Sequence, residues 1–231
     1  MIKIINSKED LNYLKGENIG TGREGTCYRN NDIVLKIYNE SPKELLFMGS
    51  ESPYFAFPVD IYKDNNDNIL AHTMKYIDGI KLDNGFPEYL EINKLIEAYN
   101  VFLNEISKYP NIYMSDLCLD NIFYNEYANR FYLIDTTLWK DWPDSLGLNI
   151  ARLNHNLSHA LYQNISWIEE YDFWKNNNNF KRNFIDSKNE SFVNFMDFLN
   201  QTIELLNKYF DKDIITIEDL KEKSKKISWF L

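Results

Sequence analysis

The hydrophobic pattern of the chain changes period once, between Tyr76 and Gly79, and that change limits the folds open to it. Before it, Gly20 to Arg29, Ile33 to Tyr38, Phe57 to Lys63 and Ile69 to Ile77 are β-branched and aromatic runs separated by turn residues, the pattern of an antiparallel sheet. After it, Tyr89, Ile92, Leu95, Ile96, Tyr99, Leu103 and Ile106 recur at helical spacing and form one apolar stripe. The same period returns over 146–163, 165–175, 187–209 and 216–227, the last opened by Thr216 with Asp219 three residues on. Asn176 to Asn179 reads as an exposed connector, and the aromatic residues from Phe173 to Phe210 have the spacing of a helical core. The pattern predicts a single α+β domain in two lobes, strand-rich over 1–77 and helical over 78–231, with a hinge where the chain crosses between them.

One interruption in the strand-rich half reads as a short helix. Ser41 can cap it, Pro42 suits its first position, Glu44 to Met48 follow, and Gly49 stops it.

Bulk properties exclude several classes of function. A chain of 231 residues can bury one substantial core or two small lobes sharing a cleft. Its net charge of −10, from 25 Lys and Arg against 35 Asp and Glu, leaves no basic footprint for nucleic acid or an anionic membrane. No run approaches the roughly twenty apolar residues of a membrane span, and no cationic segment followed by an apolar run opens the chain, so a cytoplasmic protein is expected. Cys27 and Cys118 are the only cysteines, which makes a disulfide framework or a cysteine zinc site a poor fit.

The residues with chemical potential lie between these two patterns. Asp116 and Asn121 are five apart, and Asp135 follows nineteen residues after Asp116. Ile122-Phe123-Tyr124 and Phe131-Tyr132-Leu133-Ile134 read as a hairpin turning over Asn125 to Arg130, which brings Asn121 and Asp135 to neighbouring strand ends. One carboxylate near an attacking hydroxyl, then an amide and a second carboxylate to hold Mg²⁺ against the phosphates of ATP, is the donor order that phosphoryl transfer requires.

Upstream, Gly20-Thr21-Gly22-Arg23-Glu24-Gly25 is a glycine loop whose missing side chains let backbone N–H groups approach phosphate. Strand residues rather than a helix follow it, since Thr26-Cys27-Tyr28 and Ile33-Val34-Leu35 flank Asn30-Asn31-Asp32 as a hairpin. Within Ile33 to Tyr38, alternation puts Val34 and Lys36 on one face and Leu35 and Ile37 on the other. Lys36 in so apolar a strand needs a partner. Glu44 on the expected short helix is the first choice and Glu51 the second. His155 and His159, four apart on a helix, could share a face, but neither a glutamate in the metalloprotease position nor a third ligand accompanies them.

From Gly20 to Asp135, about half its length, the chain resembles the protein-kinase-like superfamily. That resemblance implies a phosphate loop of Gly20, Gly22 and Gly25, an ion pair of Lys36 with Glu44, a catalytic carboxylate at Asp116, and magnesium ligands at Asn121 and Asp135. It also implies an adenine site with Met74 at its back, backbone groups of Lys75 and Ile77 at its edge, Cys27 and Val34 over the ring and Phe123 beneath. ATP and Mg²⁺ are the implied cofactors.

Four departures bear on the acceptor and on regulation. Met114-Ser115 stands where protein kinases carry His-Arg, which removes the arginine that meets an activation-loop phosphate. Cys118 replaces the lysine that steadies the transferred group in Ser/Thr kinases. Asp135-Thr136-Thr137 keeps the metal carboxylate of Asp-Phe-Gly without its switch, and no Ala-Pro-Glu follows. The expected reaction is transfer of the γ-phosphate of ATP to a hydroxyl, with a protein Ser/Thr acceptor first. A small molecule, as in the aminoglycoside or choline kinase branch, comes next, and a pseudokinase acting as a nucleotide-binding partner module is the reading from a different class.

Overall fold

The computed structural model describes residues 1–166, 168, 178–188, 193–211 and 213–227. The first part of the chain builds a six-stranded sheet from β1 (Ile2–Ile4), β2 (Glu17–Thr21), β3 (Gly25–Asn30), β4 (Ile33–Tyr38), β5 (Ile61–Lys63) and β6 (Ile69–Lys75). Its order is β1-β5-β6-β4-β3-β2. The expectation of an antiparallel sheet holds for every pair but one, because β1 runs parallel to β5 at the edge. Three residues are too few to register as a period in sequence, so β1 left no signal. The β3–β4 hairpin turns at Asn31, whose φ of 56° lies in the left-handed region that Asn tolerates. Leu35 and Ile37 pack with Leu11, Tyr62 and Ala71 on one face, while Val34 packs with Ala56 and Met74 on the other. Leu11 comes from a 3₁₀ turn over Lys8–Leu14 that the sequence pattern did not announce.

The helix expected from Ser41 to Gly49 does not form. The Ser41 hydroxyl accepts from the Ile69 N–H at 2.8 Å instead of capping a helix, and both Phe47 and Gly49 take positive φ. The competing force is aromatic packing. Phe47 stacks on Phe57 at 4.9 Å and meets Trp139 and Tyr109 edge-on at 5.9 and 5.4 Å. Burying that ring outweighs a short helix's weak local propensity.

The second part contains α1 (Ile92–Ile106), α2 (Leu146–Ile165), α3 (Asn178–Lys188), α4 (Phe195–Asn207) and α5 (Ile217–Lys226). Short strands β7 (Ile80–Lys81), β9 (Ile122–Asn125) and β10 (Arg130–Leu133) form one small sheet, and β8 (Ile112–Tyr113) pairs with β11 (Lys140–Asp141). The helix expected over 187–209 begins at Phe195, where Asn194 caps it by accepting from the Asp197 N–H at 3.1 Å. Asn178 and Asn179 already belong to α3 rather than to a connector. The helix expected over 165–175 lies almost wholly outside the described residues. Thr216 and Asp219 cap α5 reciprocally, as their spacing predicts.

One apolar core, including Phe86, Phe102, Phe131, Leu153, Phe195 and Phe198, organises this half. It also reaches back to Phe55 and Phe57. Ala56 N–H donates to the Leu133 carbonyl at 3.1 Å and Leu133 N–H to Tyr54 at 2.9 Å, so the sheet-bearing part is fastened to β10 as well as through the crossing at 75–79. The expected single-crossing hinge is therefore restrained by a second link. Among the described residues no helix is long and apolar enough to cross a membrane.

Candidate active site

A cavity of about 390 Å³ opens between the sheet and the small β7–β9–β10 sheet. Gly20, Cys27, Val34, Met74 and Lys75 line it from the first sheet, Ile77 from the crossing, and Phe123 from β9. Six of these are the positions expected around a planar ring, and the seventh, Gly20, was expected in the phosphate loop. Ile19, Tyr76 and Ile134 also line it, and sequence reasoning did not single them out. The lining is mostly apolar, and backbone groups at the crossing remain polar, which is the character of a site for a flat heteroaromatic ligand.

Strand alternation carries Lys36, two residues beyond Val34, into the interior, where it is 4% exposed. Its ammonium donates to Glu24 Oε2 at 2.7 Å and Asp135 Oδ2 at 2.7 Å, with Thr137 Oγ1 at 3.4 Å. Burial by itself draws a lysine down, but Asp135 and then Glu24 more than offset it and hold the Lys36 pKa above its ordinary value. The expected partner Glu44 is exposed in the segment that failed to become a helix, and Glu51 is exposed as well. Glu24, within the glycine loop, takes the place assigned to them. Its position in a loop one strand away from a buried lysine was the available signal.

Asp135 ends the β9–β10 hairpin region with φ of 57°, a left-handed conformation that Asp tolerates better than most residues. Thr137 Oγ1 donates to its Oδ1 at 2.6 Å. Burial raises a carboxyl, yet Lys36 and Thr137 prevail and hold Asp135 below the usual carboxylate range, hence ionised.

Asp116 sits on a loop that α2 holds by its amides. Asn149 Oδ1 accepts from the Met114 N–H at 3.0 Å while its Nδ2 donates to the Ile112 carbonyl at 2.6 Å, and Asn156 Nδ2 donates to the Leu117 carbonyl at 2.9 Å. Asn121 Nδ2 donates to the Asp116 carbonyl at 3.0 Å, and the Ile134 N–H donates to the Asn121 carbonyl at 2.9 Å. Asn121 thus ties the Asp116 backbone to Ile134, the residue before Asp135, with its amide oxygen left for a further ligand. Burial, then the nearby charges of Asp135 and Glu24, raise the Asp116 pKa. Asn149, the central clamp, was not foreseen; an asparagine inside a helix gives no sign of which loop it holds.

The glycines divide by role. A Cβ on Gly25 would lie 2.1 Å from the Ile37 carbonyl oxygen, so close strand approach requires glycine there. Around Gly20 and Gly22 a Cβ would meet nothing within 4 Å. Their N–H groups already have partners, Gly20 with Asn18 Oδ1 at 3.0 Å and Gly22 with the Gly25 carbonyl at 2.9 Å.

Asp135 and Asn121 offer the hard oxygen donors that Mg²⁺ takes alongside phosphate oxygens, which needs only one or two carboxylates. Among the described residues no group of three or more His, Cys, Asp and Glu side chains is arranged to hold a metal by itself. His155 and His159 lie with ring centroids 6.2 Å apart, stacked on α2.

No protein-family profile and no curated protein matches the chain in sequence. Solved structures match it in fold. The apo GRMZM2G135359 pseudokinase superposes with a TM-score of 0.54 at 9% identity, covering 99% of this chain and 97% of that one. This chain has a protein-kinase-like fold. The kinase PK-1 of Cydia pomonella granulovirus is also similar, at 15% identity and a TM-score of 0.42 over 52% of each chain.

Proposed function

We propose that this kinase-like protein is an ATP- and Mg²⁺-dependent phosphotransferase acting on a hydroxyl acceptor. The observation that carries the reading is the buried Lys36, bonded to Asp135 at 2.7 Å; Lys36 lies two residues along β4 from cavity-lining Val34, and Asp135 directly follows cavity-lining Ile134. A binding pocket alone has no need of an ionised carboxylate and a cation at its inner end beside a second carboxylate, Asp116. Asp135 and the Asn121 amide oxygen would hold Mg²⁺, which when bound would supply charge neutralisation at the phosphates. Lys36 adds a fixed positive charge that persists at neutral pH. Asp116 orients the acceptor hydroxyl and accepts its proton; positioning does most of the work, because metaphosphate-like transfer asks little of the base. Local cations also explain how a chain of net charge −10 could hold a polyanion.

A protein Ser/Thr acceptor is the first assignment. The short stretch from Asp135 to α2 and the half-buried Cys118 favour a small acceptor of the aminoglycoside or choline type as the alternative. Incubation with γ-labelled ATP separates them: self-phosphorylation supports the protein branch, turnover only with added metabolites supports the other, and no transfer with either rejects the enzyme. That last outcome belongs to a nucleotide-binding module, the reading favoured by the full engagement of Lys36 and by the pseudokinase to which the fold is similar.

A further inference from the structure

Lys36 has three N–H donors, and Glu24, Asp135 and Thr137 face all three. Of these, Glu24 alone belongs to the glycine loop, between Gly22 and Gly25. Its carboxylate oxygen Oε2 is seated on the Lys36 ammonium at 2.7 Å, with Thr137 Oγ1, whose proton goes to Asp135, 3.2 Å away. The lysine is a donor that a phosphate oxygen would use. The loop itself is held shut by the Gly22–Gly25 bond and by Asn39 Nδ2 donating to the Arg23 carbonyl at 2.9 Å.

We infer that Glu24 is an anion-mimicking latch: its carboxylate occupies the phosphate seat on Lys36 and must leave before a polyphosphate can enter. The inference rests on the phosphate-binding reading above, which it deepens. A phosphate oxygen can take a Lys36 N–H only where one of the three present partners gives it up, so phosphate and Glu24 compete for the seat. The helix expected to bring Glu44 to Lys36 does not form, and Glu24 reaches the lysine from the glycine loop instead. Glu24 is 32% exposed at its side chain, which gives it room to swing out.

The test uses the full chain, with ATP and inorganic tripolyphosphate as separate calorimetric probes. Glu24→Gln keeps the side-chain length and an acceptor for Lys36, and Glu24→Ala removes both. Each variant is expected to bind tripolyphosphate about tenfold more tightly than wild type, with the gain lost in Glu24→Gln/Lys36→Met. Tripolyphosphate bound no more tightly by the variants, or by none of the proteins, overturns the latch. Tighter tripolyphosphate binding without ATP binding by any protein keeps the latch and rejects the nucleotide reading instead.

Discussion

Lys36 Nζ and Asp135 Oδ2 stand 2.7 Å apart although 99 residues separate them in the chain, and this ion pair joins β4 to the end of β10. It couples stability and chemistry, because the same lysine that neutralises a buried carboxylate is the cation assigned to the phosphates.

Removing the cation is expected to leave two carboxylates unpaired. Breaking a buried ion pair from one side costs several kcal/mol, and the partial exposure of Glu24 and Asp135 reduces this, so Lys36→Met should lose about 2 kcal/mol. Urea unfolding at neutral pH measures it; unchanged stability would mean that the pair contributes nothing.

Asp135→Asn should abolish phosphate transfer, since it removes the ionised donor assigned to the metal, whereas Thr21→Ala on the exposed loop should be mild. Equal turnover of Asp135→Asn and wild type contradicts the assignment.

His72 gives the fold an acid sensitivity with a definite sign. It is 1% exposed, its Nδ1 lies 2.8 Å from the Tyr38 hydroxyl, and burial, reinforced by the charge of Lys36, lowers its pKa to about 3. The unfolded chain takes up this proton near pH 6.5, the folded chain only near 3, so acid favours unfolding across that window. Stability from this group should be complete above pH 6.5 and fall by about 1.4 kcal/mol per unit below it. The difference in unfolding free energy between wild type and His72→Gln, followed from pH 7.5 to 5, should change by about 2 kcal/mol. A flat difference rules this out.

The glycine loop should separate structural from permissive glycines. Gly25→Ala must push a methyl into the Ile37 carbonyl and should cost about 2 kcal/mol or more, whereas Gly20→Ala and Gly22→Ala should melt within a few degrees of wild type. Thermal denaturation of the three variants checks the ranking.

Trp139 is 4% exposed and meets Phe47, Phe55 and Phe57 edge-on. Trp139→Ala should cost about 3 to 5 kcal/mol. Trp139→Phe should cost far less, because among the described residues the buried indole N–H has no hydrogen-bond partner, so its loss forfeits no bond there. Equal losses in the two variants would remove the packing explanation.

What sequence made legible followed period and turn chemistry. The β3–β4 hairpin, the β9–β10 hairpin that joins Asn121 to Asp135, the stripe of α1 and the capping box at Thr216 all express local rules, and the cavity residues Cys27, Val34 and Phe123 lay on those hairpins. The failures were tertiary. Ser41 to Gly49 carried helix signals that the packing of Phe47 overrode, and with that helix went the partnership of Glu44 with Lys36. The replacement, Glu24, and the clamp, Asn149, act across long sequence separations that no local pattern encodes.

Calorimetric titration of wild type, Lys36→Met and Asp135→Asn with ATP, with and without Mg²⁺, bears most directly on the proposed chemistry. Wild type should bind ATP about tenfold more tightly with magnesium, Lys36→Met should lose binding, and Asp135→Asn should lose the magnesium dependence. ATP affinity that is the same in all three proteins and indifferent to magnesium would contradict the assignment of Lys36 and Asp135 to the phosphates and their metal.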